Sequence, residues 1–183
     1  MKFLRRKKAT GVDNFPPGLL KDVASVIAKP LAFVINLSLE TGSVPAEWKV
    51  AKVIPLFKSG SSAEIDNYRP ISILPILSKI LEKMVYKQLI FYLESNSLLS
   101  DYQFGFRSNR STELAVTYFT DLIRKEADCG KATGAVFIDL SKAFDTVNHS
   151  VLLNKLSLYQ WDSRHGTAMV YGLLIFAEPE GSI

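Results

Sequence analysis

A short apolar run, "GAVFIDL" at residues 134–140, calls for a sheet in any fold that this chain adopts. It is rich in β-branched and aromatic residues, and it follows the turn signal at Gly130. A run of this length and composition is typical of a buried strand rather than of a helix. We therefore predict a strand here, within a fold that also contains helices.

Asp139 lies near the end of this predicted strand. A buried carboxylate is costly unless a cation or hydrogen bonds compensate for it. Mg²⁺ takes one or two carboxylates together with phosphates and waters. The alternative is an aspartate that caps the turn through "DLS", and spacing alone favours that alternative. Asp145 either approaches the same ion or caps the helix that begins near Asn148, and the cap is favoured. Phe144, by itself, is expected in the core.

Helical spacing of apolar residues dominates the rest of the chain. It predicts two helices within residues 16–41, the second beginning at Pro30, and an amphipathic helix over residues 76–93. A further helix is capped by Ser111 or Thr112 and ends at Gly130, and a short one follows Asn148. Residues 49–57 are the second strand candidate. The order is a mixed α+β pattern without regular βαβ alternation.

A basic cluster lies on and just after this second strand candidate: Lys49, Lys52, Lys58 and, further along in "NYRPIS", Arg69. Alternation places Lys52 and Lys58 on one face of an extended strand. A lysine and an arginine beside a Gly-Ser loop can hold a phosphate chain, the arginine with two parallel hydrogen bonds. The alternative, a solvated edge strand guarded by lysines, fits equally well.

The loop "SDYQFGFRSNRST" interleaves aromatic and basic residues. Gln103, Arg107 and Arg110 stand beside Phe104 and Phe106, a composition that can stack on bases and contact phosphates. Loops also use such residues to dock onto their own domain, and that alternative is at least as well supported.

The net charge and the cysteine content limit which partners and which cellular compartment fit this chain. The net charge of +4 comes from the first eight residues, which hold five basic side chains and leave 17 basic against 18 acidic residues elsewhere. A global electrostatic case for nucleic-acid binding is therefore weak. The single cysteine excludes an internal disulfide and favours an intracellular protein. No apolar run is long enough to span a bilayer, so a soluble protein without membrane contact is expected.

Five segments, in this order, resemble the reverse transcriptases of non-LTR (LINE-type, Jockey-like) retrotransposons. They are "KKATGVDNFPPGLLK", "VPAEWKVAKVIPLFKSG", "NYRPISILPILSKILEK", "QFGFRSNRST" and "FIDLSKAFDTVNHSVLL". The resemblance covers residue 7 to about residue 159. It implies the fingers and the beginning of the palm of a right-hand polymerase, incomplete in this chain. Residues 1–130 would form the fingers and the start of the palm, residues 131–160 the palm strand with the first catalytic motif, and residues 161–183 a divergent tail.

The resemblance also implies roles for individual residues. Asp139 would be catalytic, as a ligand of two Mg²⁺ ions, with Asp145 supporting it or binding metal itself. Lys58 and Arg69 would grip the triphosphate of the incoming dNTP, and Phe144 would exclude ribonucleotides by clashing with their 2′-hydroxyl. Nucleic-acid contacts are expected near the template path, from Gln103, Arg107 and Arg110.

The implied function is that of an RNA-directed DNA polymerase, a nucleotidyltransferase that uses an RNA template, a DNA primer and dNTPs. By resemblance it would act in the nucleus or in a cytoplasmic ribonucleoprotein. The family carries an adjacent Asp-Asp pair in its palm, and this chain has no two adjacent acidic residues. We therefore expect a truncated chain, inactive alone, that needs the missing palm-thumb half. The alternative is a non-catalytic remnant of the fingers that binds RNA or protein.

Overall fold

A computed structural model describes residues 9–140, 143 and 146–161. Within these residues the fold is mixed α+β, with five α-helices and one two-stranded antiparallel sheet. The elements are α1 (Pro17–Asp22), α2 (Ala24–Thr41), β1 (Lys52–Phe57), β2 (Tyr68–Ile73), α3 (Ile76–Ser95), α4 (Thr112–Asp128) and α5 (His149–Leu158). The chain divides into two compact units, one formed by Met1–Ile90 with Val147–Ile183 and the other by Phe91–Thr146.

The core of the first unit forms around α3. Its buried residues on α3 are Ile76, Ile80, Leu81 and Val85, which belong to the predicted apolar stripe. The predicted helix is therefore confirmed, although Met84 of the same stripe remains 40% exposed. Buried side chains from other parts of this unit complete the cluster: Leu20, Ile35, Val44, Leu153 and Leu156.

The two helices predicted within residues 16–41 are present, but the break between them lies at Val23 and not before Pro30. Pro30 lies inside α2, where its missing N–H leaves the Val26 carbonyl without a helical donor. Val26 is 77% exposed, so water can reach that side of the helix and solvate the carbonyl. The helix therefore continues through the proline. By length and composition α2 also meets the criterion for a membrane span, a criterion that core helices of soluble proteins meet as well.

The predicted strand at residues 49–57 is confirmed as β1, whereas β2 was not predicted, because Pro70 lies in its middle. The register explains why a proline is tolerated there: Pro70 faces Pro55. The Lys58 N–H donates to the Asn67 carbonyl at 2.8 Å, so hydrogen-bonded pairs recur at every second position from there. The two prolines form one of the intervening pairs, where no ladder hydrogen bond is lost.

The caps of the last two helices follow from local side chains. The Ser111 hydroxyl accepts a hydrogen bond from the Leu114 N–H at 3.2 Å, which confirms Ser111 as the N-cap of α4. Gly130 follows the end of this helix with φ of 71°, as predicted for a terminating glycine. The Asn148 side chain caps α5 by accepting from the Val151 N–H at 3.0 Å.

The buried strand predicted at residues 134–140 is wrong. Residues 131–140 have no regular secondary structure, and Val136, Phe137 and Ile138 are more than 80% exposed. A strand is stable only when a neighbouring strand pairs with its N–H and C=O groups. The sheet of the described residues consists of β1 and β2 alone, so residues 134–140 have no strand to pair with. The assignment of residues 131–160 to a palm stays a prediction.

Leu81 provides a test of the core, because its side chain is completely buried. Leu81→Ala is expected to lower the free energy of unfolding by about 2–5 kcal/mol through lost burial and the cavity left behind. Leu37→Ala is the control on α2, since Leu37 is 47% exposed and should cost much less. Urea denaturation followed by circular dichroism measures both. Equal losses in the two variants would contradict this core.

Candidate functional site

The β1–β2 hairpin places Lys58 and Arg69 on the same face. Arg69 on β2 lies directly opposite Leu56 on β1, and opposite residues of an antiparallel pair share a face. Lys58 follows Leu56 by two positions, so strand alternation returns it to that face. Its backbone bond to Asn67 continues the ladder by one more pair. Lys58 and Arg69 are therefore diagonal neighbours, for which a separation of about 7–8 Å is typical.

Both cations of this pair are exposed to solvent. Lys52 lies on the same face at the far end of β1, opposite Ile73, and the apolar pair Ile54–Ile71 separates it from the Leu56–Arg69 pair. The Glu64 carboxylate, in the loop between the strands, accepts a hydrogen bond from the Asn67 side-chain amide at 3.0 Å. The hairpin thus presents two adjacent cations at its loop end, a spacing that suits an extended polyanion.

Asn67 holds the loop that joins the two strands. Its side-chain amide donates to the Ser61 carbonyl at 2.9 Å as well as to Glu64, while its backbone carbonyl accepts from Lys58. The Tyr68 hydroxyl adds a bond to the Ser62 carbonyl at 2.9 Å. These contacts fold residues 58–67 back on themselves, which fixes the backbone on which Lys58 stands.

Gly60 allows this closure. Its φ of +92° lies in a region that other residues rarely adopt, and a Cβ atom there would lie 2.7 Å from the Asn67 amide nitrogen. Sequence reasoning recognised the Gly-Ser turn but missed the role of Asn67. The available signal was the tendency of asparagine side chains to hydrogen-bond nearby backbone in turns.

Asp139 belongs to the second unit and is exposed, since the segment that carries it forms no strand. In the described part of the chain, no group of three or more His, Cys, Asp or Glu side chains is arranged to hold a metal ion. Two Mg²⁺ ions need several carboxylates around them. The described residues therefore do not fit a two-metal site by themselves. The predicted residues Phe144 and Asp145 lie outside the described residues.

The α3–α4 loop, residues 96–111, holds the other predicted site residues, and Arg107 is its internal anchor. The guanidinium donates two hydrogen bonds to the Glu94 carboxylate, at 2.9 and 2.6 Å, and a third to the Ser100 carbonyl at 2.7 Å. Only 10% of the Arg107 side chain is exposed. The hydrogen bond from Arg107 holds the pKa of Glu94 below its usual value. These contacts lie within the second unit, as expected if the loop uses its basic residues to dock onto its own domain.

Gln103 and Arg110 flank this anchor with looser contacts. The Gln103 side-chain amide donates to the Gly105 carbonyl at 3.3 Å. Arg110 lies 3.7 Å from the Asp101 carboxylate, and its guanidinium stands 5.4 Å from the centre of the Phe104 ring. Of the two predicted arginines in this loop, Arg110 is the more exposed, at 31% of its side chain. It is therefore the one more accessible to a ligand.

A cavity of about 280 Å³ opens on the first unit, away from the hairpin pair. Its lining is mainly apolar, with carboxylates from Asp13 and Glu47. None of the residues predicted for the site is among those that line it: Asp13, Phe15, Leu20, Glu47, Trp48, Pro75, Ile76 and Leu77.

Comparisons with known proteins place the sequence among reverse-transcribing elements. The family described as "Reverse transcriptase (RNA-dependent DNA polymerase)" matches residues 57–178. The "Probable RNA-directed DNA polymerase from transposon BS" of Drosophila melanogaster is 36% identical over 157 residues, which are 85% of this chain and 17% of that protein. The "RNA-directed DNA polymerase from mobile element jockey" of Drosophila funebris is 31% identical over 83% of this chain and 17% of its own length. The chain thus spans less than a fifth of each of these relatives.

Gly60→Ala tests the loop closure. A methyl group there meets the Asn67 amide and forces an unfavourable φ, at a cost of about 1–3 kcal/mol. We expect faster hydrogen exchange at the Lys58 amide, whose bond to Asn67 closes the loop, measured by NMR.

Two glycines supply the controls. Gly130→Ala keeps a positive φ of 71° without any atom near the new methyl group, and Gly105→Ala has open space and no positive φ. Neither should change exchange at Lys58. Unchanged exchange in Gly60→Ala would show that Asn67 does not hold the loop.

Proposed function

Since the chain belongs to the reverse transcriptases of non-LTR retrotransposons, related to the jockey and BS elements, we propose that it forms the nucleotide-gripping part of an RNA-directed DNA polymerase. In this proposal Lys58 and Arg69 bind the triphosphate of the incoming dNTP. The observation that carries it is the hairpin register, which sets both cations side by side on one exposed face.

The chemistry of the two side chains suits a triphosphate. Arginine offers a planar fork that meets two phosphate oxygens at once, and lysine adds a compact point charge. A separation of about 7–8 Å between their backbones lets long side chains converge on neighbouring phosphates. Because each cation is exposed before binding, neither has to break a buried ion pair to reach the ligand. The pair is therefore ready to accept an anion.

The catalytic centre is the less complete part of the proposal. Enzymes of this family use Mg²⁺, which would supply charge stabilisation at the reacting phosphate, and Asp139 is proposed as one of its carboxylate ligands. The 183 residues contain no adjacent acidic pair, so we propose that the Asp-Asp pair of the family's palm comes from another part of the polymerase. We propose that Asp145 supports Asp139 and that Phe144 selects deoxyribose, both by resemblance alone. An RNA template and a DNA primer are the expected partners, in an intracellular setting.

A non-catalytic, RNA-binding role remains the second candidate. It is favoured by the aromatic and basic side chains of the α3–α4 loop, where Arg110 stands over Phe104. Both candidates use an anionic ligand, but they place it on different units of the chain. Binding measurements with separate ligands therefore distinguish them.

The proposal is tested with inorganic tripolyphosphate, titrated calorimetrically into the whole chain. We expect Lys58→Ala and Arg69→Ala each to weaken binding about tenfold or more, since a hydrogen bond to a charged group contributes about 1.5–3 kcal/mol. Arg69→Lys should recover only part of the loss, because the charge remains and the fork is gone.

Lys52→Ala is the matched control, because it removes the same charge from the same face at the far end of β1. It should change tripolyphosphate binding by less than the Lys58 and Arg69 variants do. An equal loss in Lys52→Ala would mean that the hairpin attracts anions only by its general charge. Absence of binding by the unaltered chain would also overturn the proposal.

A further inference from the structure

Four flat side chains form a continuous row on the second unit. The Arg110 guanidinium stands 5.4 Å from the Phe104 ring centre, Phe104 lies 6.2 Å from Tyr118, and Tyr118 lies 5.6 Å from Tyr102. We call these residues the aromatic row. Three of them belong to the α3–α4 loop, whereas Tyr118 comes from α4.

The free end of the aromatic row is open to solvent. Tyr102 is 71% exposed and Tyr118 is 44% exposed. The side-chain hydrogen bond with Tyr102 raises the pKa of Tyr118. The ring contact with Tyr118, 5.6 Å between ring centres, holds Tyr102 against a helix, which limits the rotation of an otherwise exposed ring. An exposed aromatic ring held in one orientation loses little entropy when a flat ligand stacks on it.

The Arg107 anchor fixes the backbone that carries this ring. Its third hydrogen bond ends on the Ser100 carbonyl, and the Ser100 hydroxyl accepts from the Tyr102 N–H at 3.3 Å. The same carbonyl also accepts from the Gln103 N–H at 3.0 Å. Glu94, in the last turn of α3, is thereby linked through Arg107 and Ser100 to the start of the aromatic row.

Backbone strain next to Arg107 also indicates that the loop has a fixed shape. Phe106 has φ of 60° and is 82% exposed. The left-handed region costs an ordinary residue roughly 1–2 kcal/mol, and such strain persists only where the surrounding contacts dictate the backbone. The neighbouring Arg107 supplies those contacts with its three hydrogen bonds. The loop is therefore held in a set shape.

We propose that Tyr102 stacks on an unpaired base of single-stranded RNA, that Arg110 contacts the same strand, and that Arg107 is a positioning residue that does not touch the RNA. The occupant deepens the proposed function, since RNA is the template expected for this family. Aromatic stacking binds any base, as a template site requires, and contributes about 1–3 kcal/mol per base. Arg110 forms an ion pair with Asp101 at 3.7 Å. The Asp101 side chain is 93% exposed, and exposed ion pairs are weak.

Fluorescence anisotropy with labelled single-stranded oligoadenylate tests the stacking step on the whole chain. Tyr102→Leu should weaken binding about tenfold, within the range that one stacked base contributes. Tyr102→Phe should bind as the unaltered chain does, because the ring is kept. Tyr86→Leu is the control: Tyr86 is an exposed tyrosine, at 44%, with a lysine over its ring, but it lies outside the aromatic row.

An abasic strand of the same length separates stacking from phosphate contacts. Tyr102→Leu should not change its affinity, whereas Arg110→Ala should weaken both strands. An equal loss of Tyr102→Leu on the abasic strand, or an equal effect of Tyr86→Leu on oligoadenylate, would overturn the stacking assignment. So would an unaltered chain that binds neither strand, which would leave the aromatic row as a surface for a protein partner.

The positioning role of Arg107 has its own readout. Glu94→Gln removes the charge that holds Arg107 without removing any cation from the surface. It should weaken oligoadenylate binding while leaving the abasic strand unaffected, and Arg107→Lys should do the same. If Arg107→Lys instead weakens both strands and Glu94→Gln weakens neither, Arg107 contacts phosphate directly. Tripolyphosphate binding in these variants should be unchanged, so failure here is distinguishable from failure of the Lys58–Arg69 pair.

Discussion

The register of β1 against β2 is the constraint on which the candidate nucleotide site depends. Side chains alternate between faces with a period of two, so a slip of one residue would carry Arg69 to the face opposite Lys58. Two features fix the register. Pro55 and Pro70 face each other at a position that needs no N–H donor, and Asn67 closes the loop by bonding Ser61, Glu64 and Lys58. The placement of Lys58 and Arg69 on one face is therefore set largely by Pro55, Pro70 and Asn67, which carry no charge.

Local interactions made much of the secondary structure predictable in both units. The apolar stripe of α3, the strand β1 and the cap at Ser111 follow from periodicity and side-chain hydrogen bonding, and the structure has all three. The break between α1 and α2 at Val23 was harder to predict from the sequence. A proline inside a helix is tolerated when the carbonyl that loses its N–H donor faces water. β2 was not predicted for a related reason. Its proline argues against a strand, and it is tolerated only where it lies in a pair that is not hydrogen-bonded. That depends on the register between β1 and β2, which the sequence of one strand does not show.

The residues of the candidate site also differ in how much of their arrangement the sequence could predict. The pairing of Lys58 with Arg69 needed the register, although each residue was recognised from the sequence by resemblance. Arg107 was expected to contact nucleic acid, and its three hydrogen bonds to Glu94 and Ser100 depend on a contact between residues 13 positions apart that periodicity does not report. The strand predicted at residues 134–140 is absent because a strand forms only when a neighbouring strand pairs with it. Within the described residues, Asp139 is not part of any group of three or more side chains that could hold a metal ion. The loop's aromatic and basic composition was recognised from the sequence, but its alignment with Tyr118 was not.

We propose that this chain binds a nucleotide but does not by itself assemble the metal site that uses it. The most direct measurement incubates the chain with an RNA template, an annealed DNA primer, labelled dNTP and Mg²⁺, and follows both dNTP retention and primer length. We predict retention that is lost when Lys58 and Arg69 are replaced together, with no extension of the primer. Primer extension that disappears in Asp139→Ala would contradict the account, because it would show a complete catalytic centre within these 183 residues.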